Sequence, residues 1–319
     1  MSDAALDAPY VVEVWRGPRV ESRHRIAICA MTVSGRTLLE IGNVDVPVFL
    51  RSTAKPFIAA AAVRAGAVEA FGFDARELAL MCASHAGEPE HIEIVLSMLR
   101  KADIPQSALL CGGNPSPLYN NCSGKHAGIL ALAKHIGAPM ETYLEADNPA
   151  QRLILALCER VVRESLPPER IGVDGCGIPC FATSLRRAAQ AFARFATLED
   201  LEDEDRDALA MCRAAMTAHP WCIAGTGRFD TALIEATGGF VVGKGGAEAF
   251  HGSALIPLRA GLATKVIDGN GRATAPAVIA ALSRLGALEP NALEALAHFA
   301  EPPVRNVAGR VVGTVRAKI

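Results

Sequence analysis

Strand-like apolar runs lie near both ends of the chain, and helical spacing of apolar positions lies between them. "YVVEVWRG" from Tyr10 is rich in β-branched and aromatic residues and reads as a strand. "HRIAICAMTV" and "RTLLEIG" flank Ser34-Gly35 and predict a hairpin. From Ser52 to about Thr237 the spacing predicts helices near 52–66, 75–82, 88–102, 125–136, 149–164, 183–195 and 204–217. Asn148-Pro149 and Thr183 or Ser184 suit helix starts, because short polar side chains cap free N–H groups and proline fits the first turn. "SALLCGG", "IGVDGCGIPC" and "HPWCIAGTG" read as glycine- and cysteine-rich loops.

After Gly238 strands return. "GFVVGKGGAEAFHG" predicts a hairpin through Gly245-Gly246, and "LATKVIDGNGRATAP" another through Asn270-Gly271. A helix near 275–286 follows, and "GRVVGTVRAKI" ends the chain as a strand. The expectation is an α/β (α+β) fold: one antiparallel sheet built from both termini, flanked by helices. It forms a single domain over 1–319, with a helical lobe roughly 75–237 inserted in it.

Composition narrows the function classes. Of 319 residues half are hydrophobic and 21% charged, as in a globular protein with ample core. A net charge of −2 without a basic run argues against nucleic acid as partner. No apolar run reaches the roughly 18 residues of a membrane span. The polar, acidic start lacks the pattern of a signal peptide, so a cytoplasmic location is expected. The nine cysteines have no framework spacing and are expected as thiols, most of them small buried hydrophobes.

Five stretches carry candidate chemistry. In "RSTAKPF", Lys55 follows Ser52 by three residues, and "PFIAAAAV" surrounds the pair with apolar side chains. If Ser52 opens the helix, the lysine shares its face and can reach the hydroxyl. A neutral lysine can take a serine proton, and burial lowers an amine from its usual pKa of about 10.4. A serine cap followed by a surface lysine is the plainer reading of that spacing. "CASHAGEPEH" puts Ser84, His85 and Gly87 in a loop before a helix beginning at Glu88-Pro89, an arrangement shared with ordinary connections.

"NNCSGKHAG" packs Asn121, Cys122, Ser123, Lys125 and His126 into one turn. Ser123 as a simple N-cap explains one of the five. "VDGCGIPC" places Cys176 between glycines, where backbone can pass close to a ligand. Cys122 and Cys176 suit a shared metal chemically, although neither has finger spacing and two buried thiols is the plain alternative. In "VVGKGGAEAF", Lys244 ends a β-branched run before two glycines and offers a second amine for a second serine.

In their order, "RSTAKPF", "CASHAGEPEH", "NCSGKHAG", "DGCGIPCFATSL" and "GKGGAEAF" resemble the rhizobial-type L-asparaginase family over nearly the whole chain. The resemblance implies the fold of serine β-lactamases and glutaminases, a homodimer, and hydrolysis of L-asparagine to aspartate and ammonia. It implies two tandems, Ser52 with Lys55 and Ser84 with Lys244, and zinc on Cys122, Lys125 and Cys176. Arg51, His126 and Asp174 are implied around the substrate. Where the family usually has glycine after "GAE", this chain has Ala249. Ser84 has the more open loop, but a position at a helix start makes Ser52 the expected nucleophile. A β-lactamase- or peptidase-like hydrolase, a glutaminase and a non-enzymatic zinc module are the rival readings. The second amine's Lys-Gly-Gly strand has no S-x-N companion, and a zinc module leaves both serine–lysine pairs without a task.

Overall fold

The computed structural model describes residues 8–319. Its strands are β1 Tyr10–Arg16, β2 Arg19–Thr32, β3 Thr37–Ile41, β4 Pro47–Phe49, β5 Ile171–Val173, β6 Pro179–Ser184, β7 Val241–Gly246, β8 Phe250–Leu255, β9 Ala260–Val266, β10 Pro303–Arg305 and β11 Val311–Ala317. Its helices are α1 Lys55–Arg64, α2 Ala67–Ala70, α3 Ala75–Met81, α4 Pro89–Lys101, α5 Ser123–His135, α6 Pro149–Val162 and α7 Leu185–Thr197. They continue as α8 Asp203–Ala218, α9 Pro220–Ala224, α10 Phe229–Ala236, α11 Thr274–Arg284, α12 Pro290–Ala295 and α13 Ala297–Ala300. The chain divides into two compact units. One comprises residues up to Val48, Thr183–Thr197 and Ala232–Ile319; the other comprises Phe49–Ala182 and Leu198–Thr231.

The first unit holds the main sheet, in the order β10-β11-β1-β2-β9-β8-β7, with β3 also paired to β2. The long β2 pairs antiparallel with three strands: Arg23 faces Glu13 of β1, Ile28 faces Ile41 of β3, and Ile28 on its other edge faces Thr264 of β9. Strands from both ends of the chain thus share one sheet, as their placement along the sequence predicts. Helix α7 lies on β9, β2 and β8. The approach is close because Gly261 has no side chain: a Cβ there would sit 2.1 Å from the Ala189 carbonyl oxygen. The alanines Ala188, Ala189 and Ala193 are fully buried.

Two hairpin expectations need correction. The β7–β8 connection turns at Ala247–Ala249, with the glycines Gly245 and Gly246 still paired in β7. "LATKVIDGNGRATAP" is not a hairpin: β9 ends at Val266 and the chain passes through Gly271–Ala273 into α11. There the Asn270 side chain accepts from the Arg272 N–H, so the Asn-Gly pair starts a helix.

The second unit is mainly helical. Eight consecutive residues of α1, Lys55 to Ala62, are buried, so this helix is enclosed all round and not amphipathic. Its alanines let α8, α6 and α5 pack against it. Asn148 caps α6 through the Ala150 N–H, as its sequence suggests. Between the alternatives at 183 and 184, Ser184 accepts from the Arg187 N–H at the start of α7 in the first unit. "IGVDGCGIPC", read as loop, contains β5 and the start of β6, paired antiparallel with Gly172 opposite Cys180. Among the described residues no helix is long and apolar enough to cross a membrane.

Candidate active site

Arg51, Ser52, Lys55, Ser84, Cys122, Lys125, His126, Asp174 and Cys176 all fall in the helical unit, whereas Lys244 belongs to the sheet unit. Ser52 does not open an α-helix. It lies in a 3-10 turn, Arg51–Ala54, and α1 begins at Lys55 with Pro56 in its first turn. Arg51 enters that turn with φ +53°, a left-handed conformation uncommon outside glycine.

Lys55 is 1% exposed. Its amine donates to the Ala83 carbonyl, lies 2.9 Å from Ser84 Oγ, and lies 3.4 Å from the Asn121 carbonyl oxygen. The Ser52 hydroxyl is not among these partners. The lysine that follows Ser52 by one turn is therefore joined to the other serine. Sequence spacing alone does not reveal this, because α1 is buried all round and several neighbours compete for the amine.

The Ser84 loop is held from several sides. The Ser84 N–H donates to the Ile223 carbonyl at 2.9 Å, and the His85 N–H to that of Asn121 at 3.3 Å. His85 Nδ1 accepts from the Gly87 N–H, so the proton sits on Nε2 and points to Ser123 Oγ at 3.0 Å. Ser123 Oγ donates onward to the Leu118 carbonyl, so this hydroxyl does not cap α5. Burial, aided by His91, Lys55 and Arg228, pushes His85 down to about 3.

Cys122, Lys125 and Cys176 come together. The Asn120 side chain accepts from the Cys122 N–H and sets the entry to α5. A turn between β5 and β6, closed by Asp174 N–H to Ile178 and Gly177 N–H to Asp174, carries Cys176 at its tip. Lys125 Nζ lies 2.9 Å from Cys176 Sγ. A hydrogen bond from Cys176 brings the Cys122 thiol down to about 4, with help from Lys55 and Lys125 and against burial. The same bond, with burial, raises Cys176.

Among the described residues no three of His, Cys, Asp and Glu form a metal-holding group. The third donor here is the lysine. The two thiolates suit zinc, and the amine, an uncommon zinc ligand, is a donor only once neutral. Burial opposes a charge on Lys125, but the neighbouring thiols of Cys122 and Cys176 raise it, so that amine would release its proton on binding a metal.

Arg51 and Asp174 form an ion pair at 2.8 Å, with Nε at 2.9 Å. Burial works against the Asp174 carboxylate, yet Lys125, Arg51 and the Gly175 N–H hold it below its usual range. These two residues line a cleft with Ser52, Lys55 and Lys125. Ile58, Ile154, Ile178 and Phe181 form its apolar side, and its volume is about 570 Å³ with the mouth included. His126 is fully buried and does not line this cleft; its Nδ1 meets the Tyr143 hydroxyl at 2.8 Å. Tyr143, which also accepts from the Leu110 N–H, lies in no motif, and a tyrosine 17 residues from its histidine gives no sequence signal. Lys244 is buried on β7 with its amine on the Gly245 carbonyl at 2.5 Å.

The profile of the L-asparaginase II family matches residues 12–317. The chain belongs to that family. No curated protein matches it. Among solved structures it is similar to one described as Mglu in its glutamate form, at 14% identity and a TM-score of 0.49, covering 83% of this chain and 61% of that one. It is also similar to Mglu in its native form, at 15% identity and a TM-score of 0.46, covering 88% and 69%. The chain thus spans about three fifths of the first of these.

Proposed function

We propose that the protein is an amidohydrolase that converts L-asparagine to L-aspartate and ammonia, with Ser84 as nucleophile and Lys55 as its base. Family membership supports the substrate class. The observation that carries the mechanism is the 2.9 Å separation of the buried Lys55 Nζ from the half-buried Ser84 Oγ. It favours Ser84 over Ser52, whose claim rested on a helix start that the chain places three residues later.

In this reading Lys55, neutral in the reacting form, takes the hydroxyl proton as Ser84 Oγ attacks the side-chain amide carbon. The amine then passes that proton to the departing nitrogen, and ammonia leaves an aspartyl ester on Ser84. Water, deprotonated in turn by Lys55, cleaves the ester and restores the serine. The Ala83 and Asn121 carbonyls hold the amine in place through both halves. Ser52, Lys55 and the Arg51–Asp174 pair border the cleft where substrate polar groups would bind, and Lys55 joins that cleft to Ser84, which is not among its lining residues. Lys244 keeps the role of second amine that the family resemblance implies. Cys122, Lys125 and Cys176 would hold zinc, which would supply a Lewis-acid contact that orients substrate. A homodimer and a cytoplasmic setting complete the proposal.

Ammonia release from asparagine by the purified protein tests it, with glutamine and a chromogenic β-lactam as competing substrates. Asparagine turnover lost in Ser84→Ala supports the reading. Faster turnover of glutamine or the lactam, or undiminished turnover in Ser84→Ala, overturns it.

A further inference from the structure

The helical unit contains a second set of polar groups that the proposed chemistry does not use, and it surrounds the Ser84 loop. Glu88 Oε1 accepts from the Thr226 N–H and Oε2 from the Thr226 hydroxyl, each at 2.8 Å. Thr226 Oγ1 also accepts from the Trp221 indole N–H at 3.1 Å. The Trp221 ring stacks on His91 at 3.9 Å and 9°, and His91 Nδ1 accepts from the Glu88 N–H at 3.2 Å. The ring of contacts is closed: Glu88, Thr226, Trp221, His91 and back to Glu88. His91 stacks in turn on His85 at 5.0 Å and 18°.

The ring bears on Ser84 through Ile223, whose carbonyl takes the Ser84 N–H. Ile223 lies in α9, a five-residue helix that cannot hold its own position. Its far end is anchored by Thr226 on the Glu88 carboxylate, beside a second tie from the Gly225 N–H to Thr231 Oγ1 at 3.2 Å. Gly225 permits that approach: its φ is +107°, and a Cβ there would come within 2.5 Å of Glu88 Oε1. The Thr226 N–H, then its hydroxyl, keep the Glu88 carboxyl below its usual range, so it is an acceptor at both oxygens at neutral pH.

We propose that Glu88 is a positioning residue for Ser84, acting through Thr226 and the Ile223 carbonyl to hold the serine hydroxyl at the Lys55 amine. This rests on Ser84 being the nucleophile proposed above. A displaced hydroxyl would still let substrate bind but would seldom react, so the loss belongs in kcat.

A fluorophosphonate probe separates the two ideas, since it reports Ser84 reactivity without asparagine chemistry: the serine oxygen bonds phosphorus and fluoride leaves. Labelling of Ser84 is followed by mass spectrometry, beside asparagine kinetics and thermal unfolding, in the full chain. Glu88→Ala is expected to slow labelling and to lower kcat at least 30-fold, with KM within threefold. Glu88→Gln, which keeps an acceptor for the Thr226 N–H, is expected within about threefold of wild type in both. Thr226→Ala, which leaves the backbone contact, falls between them and serves if Glu88→Ala does not fold. Labelling rates of Glu88→Ala or Thr226→Ala equal to wild type overturn the proposal, as does a loss expressed in KM alone. A labelled Ser84 in a protein that ignores asparagine overturns the substrate reading and leaves the positioning role standing. Wild type that leaves Ser84 unlabelled overturns both.

Discussion

Ser52 and Ser84 belong to the same helical unit, and their surroundings differ in kind. Ser52 occupies one 3-10 turn beside an arginine at φ +53°, on the wall of an open cleft. Ser84 occupies a loop whose backbone is tied to Ile223 and whose hydroxyl is 2.9 Å from a buried lysine. Only Ser52 has the S-x-x-K spacing. The loop serine has the amine. Spacing along a helix gives possible partners, while packing decides which one is taken.

The sharpest way to break this comparison is to remove each hydroxyl in turn. Ser84→Ala should lower kcat by about ten-thousand-fold, the scale of an activated nucleophile lost. Ser52→Ala should lower kcat/KM by less than about a hundredfold, mostly through KM, as expected of a group that contacts bound substrate. Lys55→Arg should not rescue Lys55→Ala, because arginine keeps its proton. Steady-state ammonia release decides. A dead Ser52→Ala beside an active Ser84→Ala would reverse the assignment.

Much of the frame was legible in the sequence, for local reasons. Apolar runs bounded by turn residues mark β1, β2, β3 and β11, and Asn148-Pro149 marks a helix start, because capping and strand propensity act over a few residues. The Lys55–Ser84 pair joins residues 29 apart, and Glu88 reaches Thr226 across 138. No periodicity encodes such contacts. Glu88 was visible only as the start of a helix. Cys122 and Cys176 were chemically suggestive, but only the β5–β6 turn brings the second thiol to Lys125.

The thiols sharpen the contrast between binding and chemistry. Cys176→Ser should remove zinc and raise KM by about tenfold or more, with a smaller fall in kcat. Metal analysis with kinetics on the same preparation checks this. Zinc retained in the variant, or wild type purified without chelator and free of zinc, would remove the site. A collapse of kcat at constant KM would move the thiols from orienting substrate into the reaction.

His85 gives the Ser84 loop a pH dependence between pH 7 and pH 5. Its folded pKa is driven to about 3 from 6.5. Protonation therefore favours the unfolded chain: the stabilisation is complete above about pH 6.5 and declines as pH falls toward 3. The decline is limited to about 1.4 kcal/mol per unit, or about 2 kcal/mol between pH 7 and pH 5. His91 and His126 are shifted the same way, chiefly by burial, and add to it. Denaturant unfolding from pH 7 to pH 5 should show the loss, and His85→Gln should reduce it by about 2 kcal/mol, leaving the share of His91 and His126. An equal slope in both proteins would mean that His85 does not stay neutral on folding.

The smallest expected effect lies in the sheet unit and follows from the one departure from the family motif. Ala249 has φ +53° directly after Glu248 at φ +58°, so two consecutive side-chain-bearing residues are left-handed. For L-residues that conformation costs roughly 1–2 kcal/mol, which glycine avoids. Ala249 is buried, however, and its methyl contributes about 0.8 kcal/mol that glycine would forgo. The two terms nearly cancel, and Ala249→Gly should raise stability by only about 0.5 kcal/mol. Denaturant midpoints at constant slope resolve a change of that size. A loss above about 1 kcal/mol would mean that the methyl's packing outweighs the strain, and that alanine suits this turn better than the family's usual glycine.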